Sequence, residues 1–272
     1  MVRRRADQQL KRMRLLQLSD PHLLADPAAS YRGRRPLPLL AEALRQGAAL
    51  DPPPQLLLIS GDLCQDESWA GYGHLRQLLE GWPTPVALLS GNHDHPQLLR
   101  AALGRRALLA PALLELGGCL VALLDSHQAG RCGGALGRRQ LQWLAAALQR
   151  RAAGPDRPLL VAVHHPPVPI GDPGMDAIAL EDGAELQALL RPISSLVGLV
   201  FGHVHQHWQG ELSGRPGVLL LGCPSTLCGF GPVQPCPLGR AEDPGGRWLE
   251  LGAGAPLRQR LLRWTAPDPT AA

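Results

Sequence analysis

The chain has 272 residues, of which 45% are apolar and 4% aromatic, and its formal net charge at pH 7 is +4. This length and composition are typical of a globular protein with a buried core, and they exclude a disordered chain. The small positive excess suits an anionic substrate but is too weak to indicate nucleic-acid binding.

Membrane segments and disulfides are not expected. No apolar run approaches the roughly 20 residues of a membrane span. The basic N-terminus lacks the apolar stretch of a signal peptide. The six cysteines contain no CxxC pair, and a chain of this size does not need disulfides to stabilise its core. The sequence therefore predicts a cytoplasmic protein with reduced thiols that does not contact membranes.

Short apolar runs alternate with amphipathic segments along the chain. Strands buried on both faces are predicted over residues 14–19, 55–60, 85–90, 119–125, 159–164 and 197–201. Helices are predicted over residues 37–50, 68–81, 96–103, 137–153 and 181–190. This alternation predicts an α/β fold in which helices cover both faces of a sheet.

After residue 210 the pattern changes to short strands and turns rich in Gly and Pro. Strands are predicted over residues 217–222, 247–251 and 258–264, with a long surface loop over residues 229–246. We expect these strands to form or extend a second sheet rather than a separate domain. A single domain over residues 13–265 follows, with residues 1–12 and 266–272 as frayed tails.

Polar clusters follow five of the predicted strands, each at the carboxyl end of its strand. They are Asp20 with His22, Asp62 after Gly61, Asn92-His93-Asp94 after Gly91, His164-His165, and His203 with His205 after Gly202. The carboxyl ends of strands form the ligand-binding edge of an α/β sheet. These clusters are therefore expected to meet at one edge.

The residue types in these clusters predict a metal site. Carboxylate oxygens and imidazole nitrogens suit Fe, Mn or Zn better than Ca or Mg, and the absence of Cys argues against a thiolate site. The ligands outnumber those that one tetrahedral ion needs, which indicates two ions. A pair about 3.5–4 Å apart could bind a phosphoryl group and activate water. One such cluster alone is weak support for a metal site, but five in succession on strand ends are strong support.

In this order the clusters resemble the motifs DxH, GD, GNH[D/E], H and GHxH of the calcineurin-like metallophosphoesterase superfamily. The resemblance implies a four-layer αββα sandwich, with two mixed sheets flanked by helices. It also implies a ligand set. The first ion, often Fe, would be held by Asp20, His22 and His205; the second, often Mn or another divalent ion, by Asn92, His164 and His203; and Asp62 would bridge the two.

Within this superfamily the chain is most similar to the bacterial class III cyclic nucleotide phosphodiesterases. The similar pieces are LQLSDPHL, SGDLCQDES, SGNHD, HHPPVP, GHVHQ and CPST. The resemblance implies hydrolysis of 3′,5′-cyclic AMP to AMP, and a cap-like segment near residues 166–190. Because residues 171–183 look equally like the glycerophosphodiesterase relatives, a glycerophosphodiester, another nucleotide or a monoester stays open as the substrate. A non-catalytic binding protein would be expected to have lost ligands, and none is missing.

The expected chemistry is attack on a phosphodiester by a metal-bound hydroxide. His93 would donate a hydrogen bond to the phosphoryl oxygen or protonate the leaving alkoxide, and Asp94 would hold the ring of His93 in the right tautomer. The residues expected to contact substrate are His22, Asp62, Asn92, His93 and His205.

Several neighbouring polar residues are predicted to be structural or solvated. Gln65 and Asp66 could contact substrate or cap the following helix. An edge strand or the cap-like segment could support a homodimer. Structural or solvent-facing roles are expected for His74, His95, His127, His165 and His207, and a solvated loop for Arg32, Arg34 and Arg35.

Overall fold

The computed structural model describes residues 12–152 and 157–264. The strands in the described residues are β1 (Met13–Leu18), β2 (Leu56–Ile59), β3 (Val86–Leu88), β4 (Leu108–Leu109), β5 (Ala112–Leu116), β6 (Cys119–Leu123), β7 (Leu159–Val163), β8 (Leu196–Phe201), β9 (Trp208–Glu211), β10 (Leu219–Gly222), β11 (Gly245–Leu251) and β12 (Arg258–Arg263). The helices are α1 (Pro36–Ala48), α2 (Trp69–Glu80), α3 (Pro96–Leu103), α4 (Gly137–Ala152), α5 (Pro173–Asp176) and α6 (Gly183–Leu190).

The strands form two mixed six-stranded sheets. The first has the order β12-β11-β1-β2-β3-β4, with β1 to β4 parallel and with β11 and β12 antiparallel to their neighbours. The second has the order β5-β6-β7-β8-β10-β9, with β6, β7, β8 and β10 parallel. The predicted α/β pattern of parallel strands joined through helices is therefore present in both sheets.

Alternation along the buried strands divides the core into layers. In β1, Leu15 packs between the two sheets, whereas Leu16 packs under the helices of the first sheet. In β7, Leu160 faces the other sheet while Val161 packs under the helices of the second. Both faces of these two strands are buried because each sheet is covered on both sides there. The arrangement confirms the predicted four-layer αββα sandwich.

The structure differs from the sequence-based elements mainly at short or late strands. β4, β5 and β9 and the one-turn helix α5 were not predicted, since each is too short for a clear periodicity. The late strands do not build a sheet of their own, because β11 and β12 extend the first sheet while β9 and β10 extend the second. Of the predicted tails, residues 1–11 and 266–272 lie outside the described residues, as does the last residue of the helix predicted over residues 137–153.

A buried arginine joins the two sheets at one side. Arg247 of β11 is fully buried, and its guanidinium donates to the carbonyl oxygens of Gly222 at 2.8 Å and Trp208 at 2.9 Å, both in the second sheet. It also donates to Oε1 of Gln259 at 2.7 Å and Nδ1 of His207 at 2.9 Å. Burial lowers the pKa of Arg247 to about 10. Four acceptors thus satisfy a cation inside the fold.

Among the described helices, none has both the length and the apolar character needed to cross a membrane.

Candidate metal centre

The five polar clusters lie in the loops that leave β1, β2, β3, β7 and β8. Backbone hydrogen bonds join these loops to one another. The amide of Asp20 donates to the carbonyl of Gly61 at 3.1 Å, and that of His22 donates to the carbonyl of Asp62 at 2.9 Å. The amide of Gly202 donates to the carbonyl of His164 at 3.1 Å. Between the sheets, the amide of His203 donates to Oδ1 of Asp20 at 3.1 Å, so strand ends from both sheets meet at one edge, as the sequence predicted.

Five of the predicted metal ligands have a left-handed backbone conformation. Their φ angles are 51° for Asp20, 49° for His22, 48° for Asp62, 66° for His203 and 52° for His205. Such conformations are uncommon for residues other than glycine and cost about 1–3 kcal/mol each when the region is sparsely populated. The fold holds these residues in turns that bring their side chains back over the sheet edge. Strain concentrated in this way is typical of a functional site.

Two glycines leave the space in which the ligands converge. A Cβ on Gly91 would lie 2.1 Å from Oδ1 of Asp62 and 2.7 Å from Nε2 of His164. A Cβ on Gly202 would lie 2.2 Å from Oγ of Ser19 and 3.0 Å from Oδ2 of Asp20. Side chains at these positions would therefore displace the ligand atoms.

The first cluster is formed by Asp20, His22, Asp62 and His205, all buried, whose ligand atoms lie within 4.8 Å of one another. Nε2 of His22 lies 3.0 Å from Nε2 of His205, which lies 3.3 Å from Oδ1 of Asp20. Oδ2 of Asp62 lies 3.8 Å from Nε2 of His22. The four side chains thus point nitrogen and oxygen atoms at a common centre.

The outer hydrogen bonds of the two imidazoles show which atoms carry protons. Nδ1 of His22 faces Oε1 of Gln65 at 2.7 Å, and Nδ1 of His205 faces the carbonyl of Cys228 at 3.1 Å. Because both partners are acceptors, each Nδ1 donates, and Nε2 is the atom of each ring that faces the cluster. With both rings neutral, the two lone pairs that face each other at 3.0 Å beside a carboxylate would be stabilised by a cation between them.

The second cluster is formed by Asn92, His164 and His203, with Asp62 beside it. Oδ1 of Asn92 lies 3.3 Å from Nε2 of His164 and 3.0 Å from Nδ1 of His203. Nδ1 of His164 donates to the carbonyl of Ser60 at 2.7 Å, so that Nε2 is again the atom that faces the cluster. Nε2 of His203 is buried without a hydrogen-bond partner in the protein.

Asp62 lies between the two clusters. Its Oδ1 is 3.5 Å from Nε2 of His164 in the second cluster, and its Oδ2 is 3.8 Å from Nε2 of His22 in the first. The backbone amide of His93 donates to Oδ1 at 2.9 Å and helps to hold the carboxylate in place. One carboxylate with an oxygen toward each cluster has the position that a bridging ligand needs.

The charges of the carboxylates and burial shift the pKa values of the histidines in opposite directions. Burial lowers the pKa of His164, but the charges of Asp62 and Asp20 outweigh it and raise the value to about 9. Burial likewise lowers the pKa of His205, and Asp20 raises it to about 9. For His22 burial prevails and lowers the pKa to about 4. The site therefore attracts positive charge, either as protons or as metal ions.

These residues fit two metal ions. Ligand atoms bound at about 2.1 Å from one ion, at tetrahedral or octahedral angles, lie about 3.0–3.4 Å from each other, and the closest contacts in both clusters span 3.0 to 3.3 Å. The donors are imidazole nitrogens, carboxylates and one amide oxygen, with no thiolate among them. This donor set suits Fe, Mn or Zn.

The geometry gives Asp94 a different role from the one predicted. Its buried carboxylate accepts hydrogen bonds from the backbone amides of Leu63, Cys64 and Gly91 at 2.8 to 3.1 Å, and from the hydroxyl of Tyr72 at 3.0 Å. The prediction that Asp94 orients the ring of His93 is wrong, because these donors fix its carboxylate inside the turn. Burial and the nearby Asp62 raise the pKa of Asp94 to about 7. Asp94 joins the loops after β2 and β3.

Gln65 instead contacts His93, and its part in the site was not resolved from sequence. Its Nε2 lies 3.2 Å from Nδ1 of His93, while its Oε1 accepts from His22. Asp66 accepts from the backbone amide of Ala25 at 2.9 Å. The cap of α2 is Ser68, whose hydroxyl accepts from the amide of Gly71.

His165 lies beside the second cluster, but both of its nitrogens have protein partners. Its Nε2 donates to the carbonyl of Cys132 at 3.0 Å, and its Nδ1 lies 2.8 Å from Oγ of Ser126, which must then be the donor. Although its ring nitrogens lie close to those of His164 and His203, no lone pair is left for a metal. This hydrogen bonding supports the predicted structural role.

An aromatic rim beside the first cluster was missed from sequence. The ring of Phe230 stacks on that of His205 at 4.1 Å, and the ring of Tyr31 lies 5.2 Å from that of His22. The guanidinium carbon of Arg32 lies 4.7 Å from the centre of Phe230 and 5.5 Å from that of Tyr31. Arg32 is thus held at the rim of the metal centre by cation–π contacts.

Comparison with known proteins agrees with this site. A model of the calcineurin-like phosphoesterase family matches residues 13–207. A probable cyclic nucleotide phosphodiesterase of Synechococcus sp. strain WH7803 is 47% identical over 265 residues, covering 95% of this chain and 99% of the relative. The 3′,5′-cyclic adenosine monophosphate phosphodiesterase CpdA of Pseudomonas aeruginosa is 37% identical over 249 residues, covering 92% of this chain and 89% of the relative.

The fold also matches solved structures. A dimetal phosphatase from Danio rerio superposes with a TM-score of 0.61 at 16% identity, covering 93% of this chain and 99% of that one. At this identity the match concerns the fold alone. Together with the family match and the metal centre, it shows that this chain is a metallophosphoesterase of the calcineurin-like phosphoesterase family.

Proposed function

We propose that the protein hydrolyses 3′,5′-cyclic nucleotides, cyclic AMP foremost, to the 5′-monophosphates. The observation that carries this proposal is the candidate metal centre, in which Asp62 lies between two clusters of imidazoles and carboxylates. The choice of substrate is supported by two relatives named as cyclic nucleotide phosphodiesterases, which are 37% and 47% identical over more than nine-tenths of this chain.

In this proposal Asp20, His22 and His205 would hold one ion, Asn92, His164 and His203 would hold the other, and Asp62 would be shared by both. We favour Fe for the first position and Mn for the second, with Zn or another divalent ion able to replace them. Bound there, the ions would supply Lewis-acid chemistry: they would offset the charge of the phosphodiester and lower the pKa of water toward 7.

The side chains of this chain have separate tasks in the reaction. His93 lies beside the ligand Asn92 and is available as a hydrogen-bond donor to the phosphoryl or leaving oxygen. The oxygen of water forms a bond to phosphorus, and the bond from phosphorus to O3′ breaks with its electron pair on O3′. The proton that O3′ gains balances the one that the attacking water releases. His22, Asp62, Asn92, His93 and His205 line the position of the substrate, while Asp94 holds the turn that presents His93.

The rim residues suit a nucleotide. Arg32 lies at the edge of the first cluster and is kept in place by Phe230 and Tyr31, so that its charge is available to an anionic substrate. Of the two rings, Phe230 is covered by His205 and Arg32, so Tyr31 is the ring on which a nucleobase would stack. We further propose that the enzyme is cytoplasmic, since its six cysteines are all unpaired. Its substrate would be a small diester rather than a nucleic acid or a membrane lipid.

Substrate preference is tested by reconstituting the metal-free protein with Mn²⁺ or Fe²⁺. Initial rates are then compared for 3′,5′-cyclic AMP, 2′,3′-cyclic AMP, glycerophosphocholine and a phosphomonoester. The proposal expects the highest kcat/KM with 3′,5′-cyclic AMP. Rapid hydrolysis of glycerophosphocholine without turnover of cyclic AMP would reject it in favour of a glycerophosphodiesterase.

A further inference from the structure

One side chain, Gln65, contacts both a predicted metal ligand and the proposed hydrogen-bond donor of the site. Its Oε1 lies 2.7 Å from Nδ1 of His22, and its Nε2 lies 3.2 Å from Nδ1 of His93. The two rings meet edge to face, with centroids 5.3 Å apart. A single amide group therefore spans the gap between them.

The backbone fixes the position of Gln65 relative to His22. The amide of Gln65 donates to the carbonyl of Leu23 at 2.8 Å, and the amide of Leu23 donates to the carbonyl of Leu63 at 3.0 Å. Leu23 and Cys64 form a parallel β-bridge. The loops after β1 and β2 thus form one unit, and this unit fixes the backbone from which the side-chain amide of Gln65 extends.

The orientation of the side-chain amide of Gln65 follows from the role of His22. With Oε1 toward His22, Nδ1 of His22 carries the proton and Nε2 offers its lone pair to the first cluster. The reverse orientation would move that proton to Nε2, which faces Nε2 of His205 at 3.0 Å, and would remove a metal ligand. The amide nitrogen of Gln65 must then face His93 and donate to its Nδ1.

We infer that Gln65 is a positioning residue that sets the tautomers of His22 and His93 together. It keeps His22 as a metal ligand through Nε2, and it keeps the proton of His93 on Nε2. Nε2 of His93 is therefore the atom that donates a hydrogen bond to the phosphoryl or leaving oxygen. This inference rests on the proposed metal site.

Three variants separate the two contacts. Gln65→Met has a similar size and loses both hydrogen bonds. Gln65→Glu keeps an acceptor for His22 but has no proton to donate to His93, and it draws the proton of His93 toward Nδ1. Gln46→Met is the matched control, because Gln46 is a half-buried glutamine on α1 whose amide donates to Glu42.

The first measurement is the protonation of each ring nitrogen. Long-range ¹H–¹⁵N spectra of Zn²⁺-loaded protein labelled with ¹⁵N-histidine are expected to show His93 protonated at Nε2 alone. His22 is expected to be protonated at Nδ1 and bound to zinc through Nε2. A wild-type spectrum with the proton of His93 on Nδ1, or with His93 doubly protonated, overturns the inference. This readout needs no substrate.

The second measurement combines Zn²⁺ affinity with kcat at saturating metal, on cyclic AMP and on bis(p-nitrophenyl) phosphate. Gln65→Met is expected to weaken zinc binding about 10- to 100-fold and to lower kcat by at least about tenfold. Gln65→Glu is expected to lower kcat without weakening zinc binding. If Gln65→Met matches Gln46→Met within twofold in both quantities, the inference fails. A wild type inactive on cyclic AMP would reject the proposed substrate alone, since the spectra and the zinc affinity would still decide the tautomers.

Discussion

Substitution of Gly91 by Ala tests whether the space at the centre of the site is required. Ordinary van der Waals contact begins at 3.4 Å, whereas the new Cβ would lie 2.1 Å from Oδ1 of Asp62, 2.4 Å from its backbone nitrogen and 2.7 Å from Nε2 of His164. The carboxylate of Asp62 must therefore move by about 1.3 Å to reach that distance. A displacement of about 1 Å can cost roughly 10²-fold in rate, and overpacking about 1–3 kcal/mol in stability.

The assay is kcat/KM together with bound metal per chain by mass spectrometry and the free energy of unfolding in urea. Gly91→Ala is expected to lose at least about 100-fold in kcat/KM and to bind fewer than two ions. The control is Gly73→Ala in α2, where the new Cβ meets nothing within 4 Å. It should add about 0.5–1 kcal/mol of stability at unchanged activity. If Gly91→Ala binds two ions with wild-type affinity and turns over within twofold, the steric reasoning is refuted.

Three further outcomes are expected. Asp62 and Asp20 raise the pKa values of His164 and His205 to about 9, so protons compete with metal below that pH. The apparent Mn²⁺ affinity measured by calorimetry should therefore rise from pH 7 to 9 and then level off. A flat profile would contradict this. Arg32→Ala should raise KM for cyclic AMP about 10- to 150-fold at little change in kcat, since one charge-assisted hydrogen bond is worth about 1.5–3 kcal/mol. An unchanged KM would remove Arg32 from the substrate site. Arg247→Lys keeps a buried charge, but the lysine cannot reach all four acceptors. The free energy of unfolding in urea should therefore fall by about 2–4 kcal/mol. A fall below about 0.5 kcal/mol would mean that the ammonium satisfies the acceptors.

The sequence by itself determined the residues of the candidate site and most of the core architecture. Apolar runs such as residues 55–60 and 159–164 have the pattern of strands buried on both faces, and the structure has strands there. Because ligands in an α/β sheet collect at the carboxyl ends of strands, residues that directly follow those runs could be assigned to one edge. Asp20, Asp62 and His164 meet there for this reason.

Only the tertiary structure decided which atoms those ligands offer and what surrounds them. The contact of Gln65 with His93, the donors that hold Asp94, and the stacking of Phe230 on His205 all join residues from different loops. No local periodicity encodes such contacts, since they depend on how the strained turns and the two sheets pack. Sequence adjacency suggested Asp94 as the partner of His93. A buried carboxylate, however, is stabilised by as many hydrogen-bond donors as it can reach. For Asp94 these donors are backbone amides and the hydroxyl of Tyr72.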